Sequence, residues 1–341
     1  ENFFFKISKY QRWLTETVRE GKLFRILPES RKNEVLGFLD NNTLQDLCIS
    51  RPKNRLSWGI PSPLSDQHVT YVWFDALINY ISAVGFGADE AKLKKWWPAD
   101  AQLIGKDILR HHAVIWPILL HALGLAPPRL VFAHGWWVQG GQKMSKSRGN
   151  VTDPAEIVKT YGVDAFRYFL LREAAFGSDG TFSEDALTLR YNTDLANDLG
   201  NLLNRTLTMC EKYFEGAVPA KVPGSDLLAA AAEALPQKLR EPMNRLAYSE
   251  ALSEIWAVVS QANKYIEEKA PWVLSKQGKK EELAAVIGTL VRVLGLVAMV
   301  LAPFMPQTAK AMMAQLGTGG QIAKGPPLFP RIETDKPGTN K

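Results

Sequence analysis

Three stretches of the chain read as strands, and the first two lead into a helix-period pattern. The run 69–74 ("VTYVWF") predicts a strand, with Asp75 as the cap of a helix from Ala76. "AQLI" predicts a short buried strand ending at Ile104, turned by Gly105-Lys106-Asp107 into a helix from Ile108 to about Leu123. The run 130–138 predicts a third strand. Strand–helix–strand–helix–strand at this spacing argues for a parallel sheet with crossover helices. Ligands bind such sheets at the carboxyl ends of the strands. The turns that carry Asp75 and Gly105-Lys106-Asp107 lie at that edge.

From residue 152 the pattern changes. In "TDPAEI", Asp153 is a helix cap, Pro154 takes the first helical position and Glu156 can reach back to the cap amide. Gly162 ends that helix, and Asp164 is expected to cap the next. From about Ala186 to Met313 the period is helical throughout, which predicts an all-α domain. Within it, the apolar stretch 283–304 has the length of a membrane span. Gly288, Thr289, Arg292 and Gly295 interrupt it, and it follows the charged run "QGKKEE". It reads as the central helix of a soluble bundle, with no membrane partner. The Gly/Pro-rich tail is expected to be extended or disordered except where "PLFPRI" docks. Residues 1–40 are mixed and charged and read as helices from the end of a larger unit.

At 341 residues the chain exceeds one typical core, so two or three domains are expected. With 46% apolar and 22% charged residues it has an ordinary soluble mixture. The net charge of +6 fits a polyanionic partner such as nucleic acid, and equally a solvated surface rich in lysine. Its two cysteines, Cys48 and Cys210, lie far apart and make neither a disulfide framework nor a zinc pattern, which suits a reducing cytoplasm. His111 and His112 are adjacent, so on a helix they point about 100° apart and make a poor metal pair. There is no initiator Met and no signal-peptide layout.

The segment 140–150, "GGQKMSKSRGN", sets Lys143, Lys146 and Arg148 among glycines and serines. Its spacing is neither that of a P-loop nor that of the dinucleotide fingerprint. A cationic loop of this kind can fold over a triphosphate and offset charge on the leaving phosphates. The alternative is a solvated basic hairpin.

Lys143-Met144-Ser145-Lys146-Ser147 is the second signature of class I aminoacyl-tRNA synthetases, placed as in that family after the last strand of the nucleotide-binding sheet. "CISRPKNRLSWGIP", "YVWFDALINY", "LIGKDILRHHAVIWP" and "EEKAPWVL" narrow the resemblance to the methionyl-tRNA synthetases, over roughly residues 1–330. The resemblance implies α/β plus all-α architecture: the second half of a Rossmann-like catalytic domain, then a helical anticodon-binding bundle. The expected divisions are the end of a connective region (1–40), the catalytic half (41–140), the signature loop and linking helices (141–185), the bundle (186–315) and the tail (316–341).

Such enzymes form methionyl-adenylate from ATP, taken as its Mg2+ complex, and methionine. They then pass the methionyl group to tRNA(Met). By the match, Lys143 and Lys146 contact the phosphates as the catalytic cations, with Ser145 and Ser147 as further donors. Gly105 and Asp107 form a turn at the ribose, Asp107 accepting from its hydroxyls. Trp73, Ala76, Tyr80, Ile108 and His112 form the methionine pocket. An apolar, polarizable thioether suits aromatic walls, and Tyr80 and His112 can each offer a polar hydrogen near sulfur. Arg51 matches a basic residue near the active site. Asn197, Asn201 and Arg205 fall at i, i+4 and i+8 as one polar stripe, with Leu195, Leu199 and Leu202 on the opposite side. With Pro271 and Trp272 they match the anticodon-reading residues for CAU. An aromatic face there stacks an unstacked base while Asn and Arg read base edges.

The sequence departs from the family in three places. The first signature, of His-Ile-Gly-His type, is absent, as is the cysteine-rich zinc knuckle, so no bound zinc is expected. The chain therefore reads as the carboxyl-terminal two-thirds of such an enzyme, inactive in adenylate formation without the missing amino-terminal half. Leu47-Cys48 stand where some members carry an aromatic, so one pocket wall is expected to be built differently. Another class I synthetase of leucine or cysteine type, or a non-catalytic tRNA-binding relative, remains as an alternative.

Overall fold

The structure, a computed structural model, describes residues 1–144, 152–219 and 227–333, without the side chains of residues 142 and 143. It falls into two units, Glu1–Trp136 and Trp137–Lys341.

In the first unit the elements run β1 (Phe4–Phe5), α1 (Gln11–Glu20), β2 (Arg25–Leu27), α2 (Glu29–Asn41), β3 (Leu47–Cys48), β4 (Ser50–Pro52), β5 (His68–Thr70), α3 (Val72–Ser82), α4 (Glu90–Trp96), β6 (Gln102–Gly105), α5 (Trp116–Ala122) and β7 (Leu130–His134). A parallel three-stranded sheet has the order β2-β7-β6, with Ile26 opposite Val131 and Ile104 opposite Ala133. Leu130 to Ala133 are all buried, as a central parallel strand covered on both faces requires.

The sheet is parallel as the sequence predicts, but its membership differs. The run 69–74 is not a sheet strand: only His68–Thr70 is extended, and β5 pairs antiparallel with β4. The helix starts at Val72, and Asp75 sits in its first turn rather than at the cap. The aromatic run carries a 3.6-residue period that buries Leu77 and Ile81 against Trp116, Leu119 and Leu120. The third sheet strand is instead β2, from the stretch read as purely helical. Ile26 on it and Phe24 just before it, with Leu14, Val18, Val35 and Leu39 from the flanking helices, belong to the same core as Ile104 and Val131. Residues of the 1–40 segment thus share a core with β6 and β7 within this unit.

The second unit opens with β8 (Trp137–Gln139), β9 (Gln142–Lys143), α6 (Pro154–Tyr161), α7 (Val163–Arg172), β10 (Gly180–Thr181) and α8 (Glu184–Arg190). The predicted strand 130–138 is therefore broken after His134, and β8 pairs parallel with β10 and antiparallel with β9. A π-helical stretch, Tyr191–Gly200, leads into α9 (Asn201–Phe214), α10 (Leu227–Asn244), α11 (Tyr248–Lys269), α12 (Pro271–Lys276), α13 (Lys280–Leu301) and α14 (Pro306–Leu316). The apolar stretch forms α13, which is long and apolar enough to cross a membrane. In this unit it is a core helix: Leu283, Ile287, Leu290, Leu294, Val297 and Leu301 are buried in the largest hydrophobic cluster.

The Asp153 side chain accepts from the Ala155 N–H, and Gly162, at φ 83°, ends α6. Asp164 does not cap α7. It lies buried inside that helix and accepts from the Thr308 N–H at 2.6 Å, so it caps α14, whose own cap residue Met305 supplies no side-chain bond. The described part of the tail is ordered by docking: Leu328, Phe329 and Ile332 pack on the bundle. Asn192 donates to the Ile332 carbonyl at 2.9 Å and accepts from its N–H at 3.0 Å.

Candidate functional site

Trp73, Ala76 and Tyr80 all lie on α3, which places them on one helical face. Opposite them the chain leaves β6, makes a 3-10 turn over Lys106–Ile108 and then a π-helical turn over His111–Ile115 before α5. π-turns of this kind occur often at functional sites. Tyr80 Oη and His112 Nε2 are 2.9 Å apart, and His112 Nδ1 is 3.0 Å from the Ile108 carbonyl oxygen. A carbonyl only accepts, so Nδ1 carries the proton of the neutral ring and donates. Nε2 is then the acceptor, and Tyr80 donates its hydroxyl hydrogen to it. Both polar hydrogens expected near sulfur are thus committed inside the protein.

The structure adds residues the sequence did not single out. His111, set aside as half of a poor metal pair, stacks flat on Trp73 with centroids 3.9 Å apart. Trp116, fully buried, lies 6.0 Å from Tyr80 and 6.0 Å from Trp97. The result is an aromatic wall of Trp73, His111, Tyr80 and Trp116. On a regular helix His111 would turn away from His112; the wider π-turn is the feature sequence spacing did not show.

Burial lowers the pKa of His111, with a further push from His112, and burial lowers that of His112 against the raising effect of its bond to Ile108. Burial raises that of Tyr80, which keeps its donor hydrogen. Histidine ordinarily titrates near about 6.5. With the folded values below that, the unfolded chain takes up protons first as the pH falls. Stability from these two residues is therefore complete above about pH 6.5 and is lost on acidification. Urea midpoints measured at about pH 8 and about pH 5.5 should be lower at the acid value, and His111→Phe should reduce the difference.

Gly105 ends β6 opposite His134, and an added Cβ there would meet Asp107 Oδ1 at 2.6 Å, so a larger residue would displace the Asp107 carboxylate. Asp107 is exposed at the carboxyl edge of the sheet, and its Oδ1 accepts from Trp136 Nε1 at 3.3 Å. Arg51, on β4, donates to Cys48 Sγ at 3.2 Å and to the Ser50 carbonyl at 2.7 Å, and its guanidinium covers the Tyr71 ring at 4.1 Å. The wall expected to differ at Leu47-Cys48 is thus tied to Arg51. In the second unit the backbone of β9 ends at Lys143. The Lys143 side chain and Ser145, Lys146 and Ser147 lie outside the described residues.

The polar stripe of that unit is present. Asn197, in the π-helical stretch, and Asn201, at the start of α9, are exposed, while Leu195, Leu199 and Leu202 are buried. Arg205 is not a lone cation; it donates to Glu267 on α11 at 2.7 Å. Asn263, also on α11, donates to the Asp198 carbonyl at 3.2 Å, so the carboxyl end of α11 flanks the stripe. Ala270 then takes a left-handed conformation at φ 42°, and Pro271 begins α12. Pro271 is buried and offers no face to a base; Trp272 beside it is 38% exposed. Among the described residues no group of three or more His, Cys, Asp or Glu gathers as a metal site.

The family model described as "tRNA synthetases class I (M)" matches residues 1–207, and that described as "Anticodon binding domain of methionyl tRNA ligase" matches residues 219–324. The "Methionine--tRNA ligase" of Caldanaerobacter subterraneus subsp. tengcongensis is 48% identical over 98% of this chain, and that of Clostridium perfringens is 47% identical over 98%. The chain spans 56% and 55% of the length of these relatives. The solved structure of Mycobacterium tuberculosis methionyl-tRNA synthetase in complex with methionyl-adenylate superposes with a TM-score of 0.90 at 38% identity, over 97% of this chain and 69% of that one. With the parallel sheet, the aromatic wall and the helical bundle each falling within these matches, the chain belongs to the methionyl-tRNA synthetases of class I.

Proposed function

We propose that this chain supplies the methionine pocket, the ribose turn, the signature loop and the anticodon-binding bundle of an enzyme that activates methionine with ATP and charges tRNA(Met). The observation that carries the proposal is the wall formed by Trp73, Tyr80, His111 and His112, in which the Tyr80 hydroxyl and both His112 nitrogens are already bonded. A thioether brings no strong donor or acceptor. A pocket of polarizable rings suits it, and the Tyr80 hydroxyl and His112 nitrogens, already bonded to each other and to Ile108, are not offered to a hydroxylated or charged side chain. Selection then rests on shape and aromatic contact rather than on hydrogens donated to sulfur by Tyr80 or His112. Ala76, on the same face of α3 as Trp73 and Tyr80, is small, and Ile108 adds an apolar side chain one helical turn before His112.

The methionine carboxylate attacks the α-phosphorus of ATP, and pyrophosphate leaves. No side-chain nucleophile is needed; the chemistry calls for cations where charge develops. Lys143 and Lys146 fill that role, with Ser145 and Ser147 as neutral donors. Mg2+ arrives with ATP as part of the substrate, and no resident zinc is expected without the cysteine-rich knuckle. Asp107 accepts from a ribose hydroxyl, and Arg51, stacked on Tyr71 just ahead of α3, contributes positive charge near the pocket. Adenylate formation also needs the His-Ile-Gly-His type signature, which these 341 residues do not contain and the amino-terminal part of the enzyme would bring. The reading places the chain in the cytoplasm with tRNA as its partner and no membrane, α13 spending its apolar length inside the bundle.

In the bundle, Asn197, Asn201 and Arg205 read base edges of the CAU anticodon and Trp272 stacks a base. Competition binding at fixed salt tests this, because nonspecific tRNA affinity is a matter of charge. Stacking of one base is worth about 1–3 kcal/mol. Trp272→Ala should therefore weaken tRNA(Met) about tenfold, and an altered anticodon should weaken it on the unsubstituted chain but add little on the variant. Equal binding in all four combinations would discard the anticodon reading.

A further inference from the structure

The register of the sheet brings two turns together. Gly105, the last residue of β6, lies opposite His134, the last residue of β7. The chain beyond each strand therefore emerges at the same point of the carboxyl edge, Lys106 and Asp107 from one and Gly135 and Trp136 from the other. There the half-buried indole of Trp136 makes two contacts with its neighbour turn. Its Nε1–H donates to Asp107 Oδ1 at 3.3 Å, and Lys106 Nζ stands 4.1 Å over its ring centroid. Gly105 completes the arrangement by omission, since a Cβ would press on the same Oδ1 at 2.6 Å.

We infer that Trp136 is the positioning residue for nucleotide ribose: it holds the Asp107 carboxylate in the plane from which the carboxylate accepts a ribose hydroxyl. The inference rests on the reading of Asp107 as the ribose acceptor, and it deepens it. Asp107 is exposed on a short 3-10 turn, so the groups that hold its carboxylate set the direction in which it accepts. A carboxylate has about four lone-pair sites, and fixing one of them to a donor sets the plane of the rest. The donor has to be rigid for this to matter. An indole is rigid, and the ammonium over its face restrains it further. A phenylalanine would keep an aromatic ring at this position and lose the N–H.

The test compares three nucleotides, ATP, 2′-deoxy-ATP and 3′-deoxy-ATP, by equilibrium displacement on the 341-residue chain and on its Trp136→Phe, Asp107→Asn and double variants. The unsubstituted chain is expected to prefer ATP over at least one deoxy analogue. Trp136→Phe should weaken ATP about threefold to tenfold, the range for one hydrogen bond, and weaken that analogue less, so the preference narrows. Asp107→Asn should narrow it as well, and the double variant should be no worse than Asp107→Asn, because both act through one carboxylate. Three outcomes go the other way. If Asp107→Asn loses the preference and Trp136→Phe keeps it, the role of Trp136 is wrong and the ribose reading stands. If Trp136→Phe weakens all three nucleotides and methionine alike, Trp136 is merely structural. If the unsubstituted chain shows no preference, or no saturable ATP binding, the ribose reading itself is wrong and the inference goes with it.

Discussion

Replacing His112 with alanine is expected to weaken methionine binding by this chain about thirtyfold or more, with Tyr80→Phe costing about tenfold. His112 is 2% exposed and sits at the centre of the wall. Its removal leaves the Tyr80 hydroxyl without its acceptor, strips the Ile108 carbonyl of its donor and opens a void the size of an imidazole. A buried polar group left unmatched costs about 1–3 kcal/mol, and the void adds to that. About 2 kcal/mol corresponds to roughly thirtyfold in affinity. Tyr80→Phe removes a single hydroxyl and keeps the ring, so it falls short of that. Titration calorimetry with methionine on the three proteins checks both values. If His112→Ala binds methionine as tightly as the unsubstituted chain, the pocket is elsewhere. If Tyr80→Phe is the worse of the two, the hydroxyl has a direct role with the ligand that its bond to His112 does not predict.

The elements with a long period were legible from sequence. α13 declared itself through 22 residues of helical pattern, and the stripe of Asn197, Asn201 and Arg205 set against Leu195, Leu199 and Leu202 needed only the 3.6-residue repeat. The Asp153 cap was legible because the acid, the proline and the helix start are adjacent. What escaped was either short or non-local. β2 has three residues, too few for an alternation to stand out, and only its pairing with β7 makes it a strand. Asp164 reads locally as a cap, yet it caps a helix more than 140 residues away in sequence. Pro271 and Trp272 are neighbours, but the left-handed Ala270 turns one inward and leaves the other at the surface. The Trp73–His111 stack depends on a π-turn, and one extra residue per turn leaves no composition signature.

Site residues drawn from a motif were identified with their types and not with their bonds. The match named Tyr80 and His112 as a pair facing sulfur. The geometry turns the pair on itself, because the Ile108 carbonyl fixes the tautomer and the tautomer spends the tyrosine hydrogen. In the same way Arg205 was named as a reader of bases, and the structure adds its bond to Glu267 on α11. Chemistry of this kind lies in which atom donates, and sequence spacing does not carry that.

The largest stability effect is expected at Tyr168, in the bundle. Tyr168→Ala should lower the unfolding free energy by about 4–5 kcal/mol, against about 1.5–3 kcal/mol for Tyr168→Phe. The side chain is fully buried on α7 and packs against Trp256 on α11 with ring centroids 4.4 Å apart. Its hydroxyl donates to Asp194 Oδ2 at 2.8 Å, and the same carboxylate oxygen receives Arg190 at 3.1 Å, which also pairs with Glu173 at 2.9 Å. Burial, reinforced by the Asp194 charge, pushes the phenol pKa up, so the hydroxyl stays a donor at any working pH. The phenylalanine variant keeps the ring and removes one bond to a charged, half-buried group. The alanine variant adds a cavity in a cluster with little freedom to collapse, since Leu195, Leu199 and Ile255 around it belong to the same buried core. Urea denaturation followed by helical circular dichroism gives both numbers. The gap between them isolates packing from hydrogen bonding. Equal losses would mean that the bond to Asp194, rather than the ring, holds α7 in the bundle.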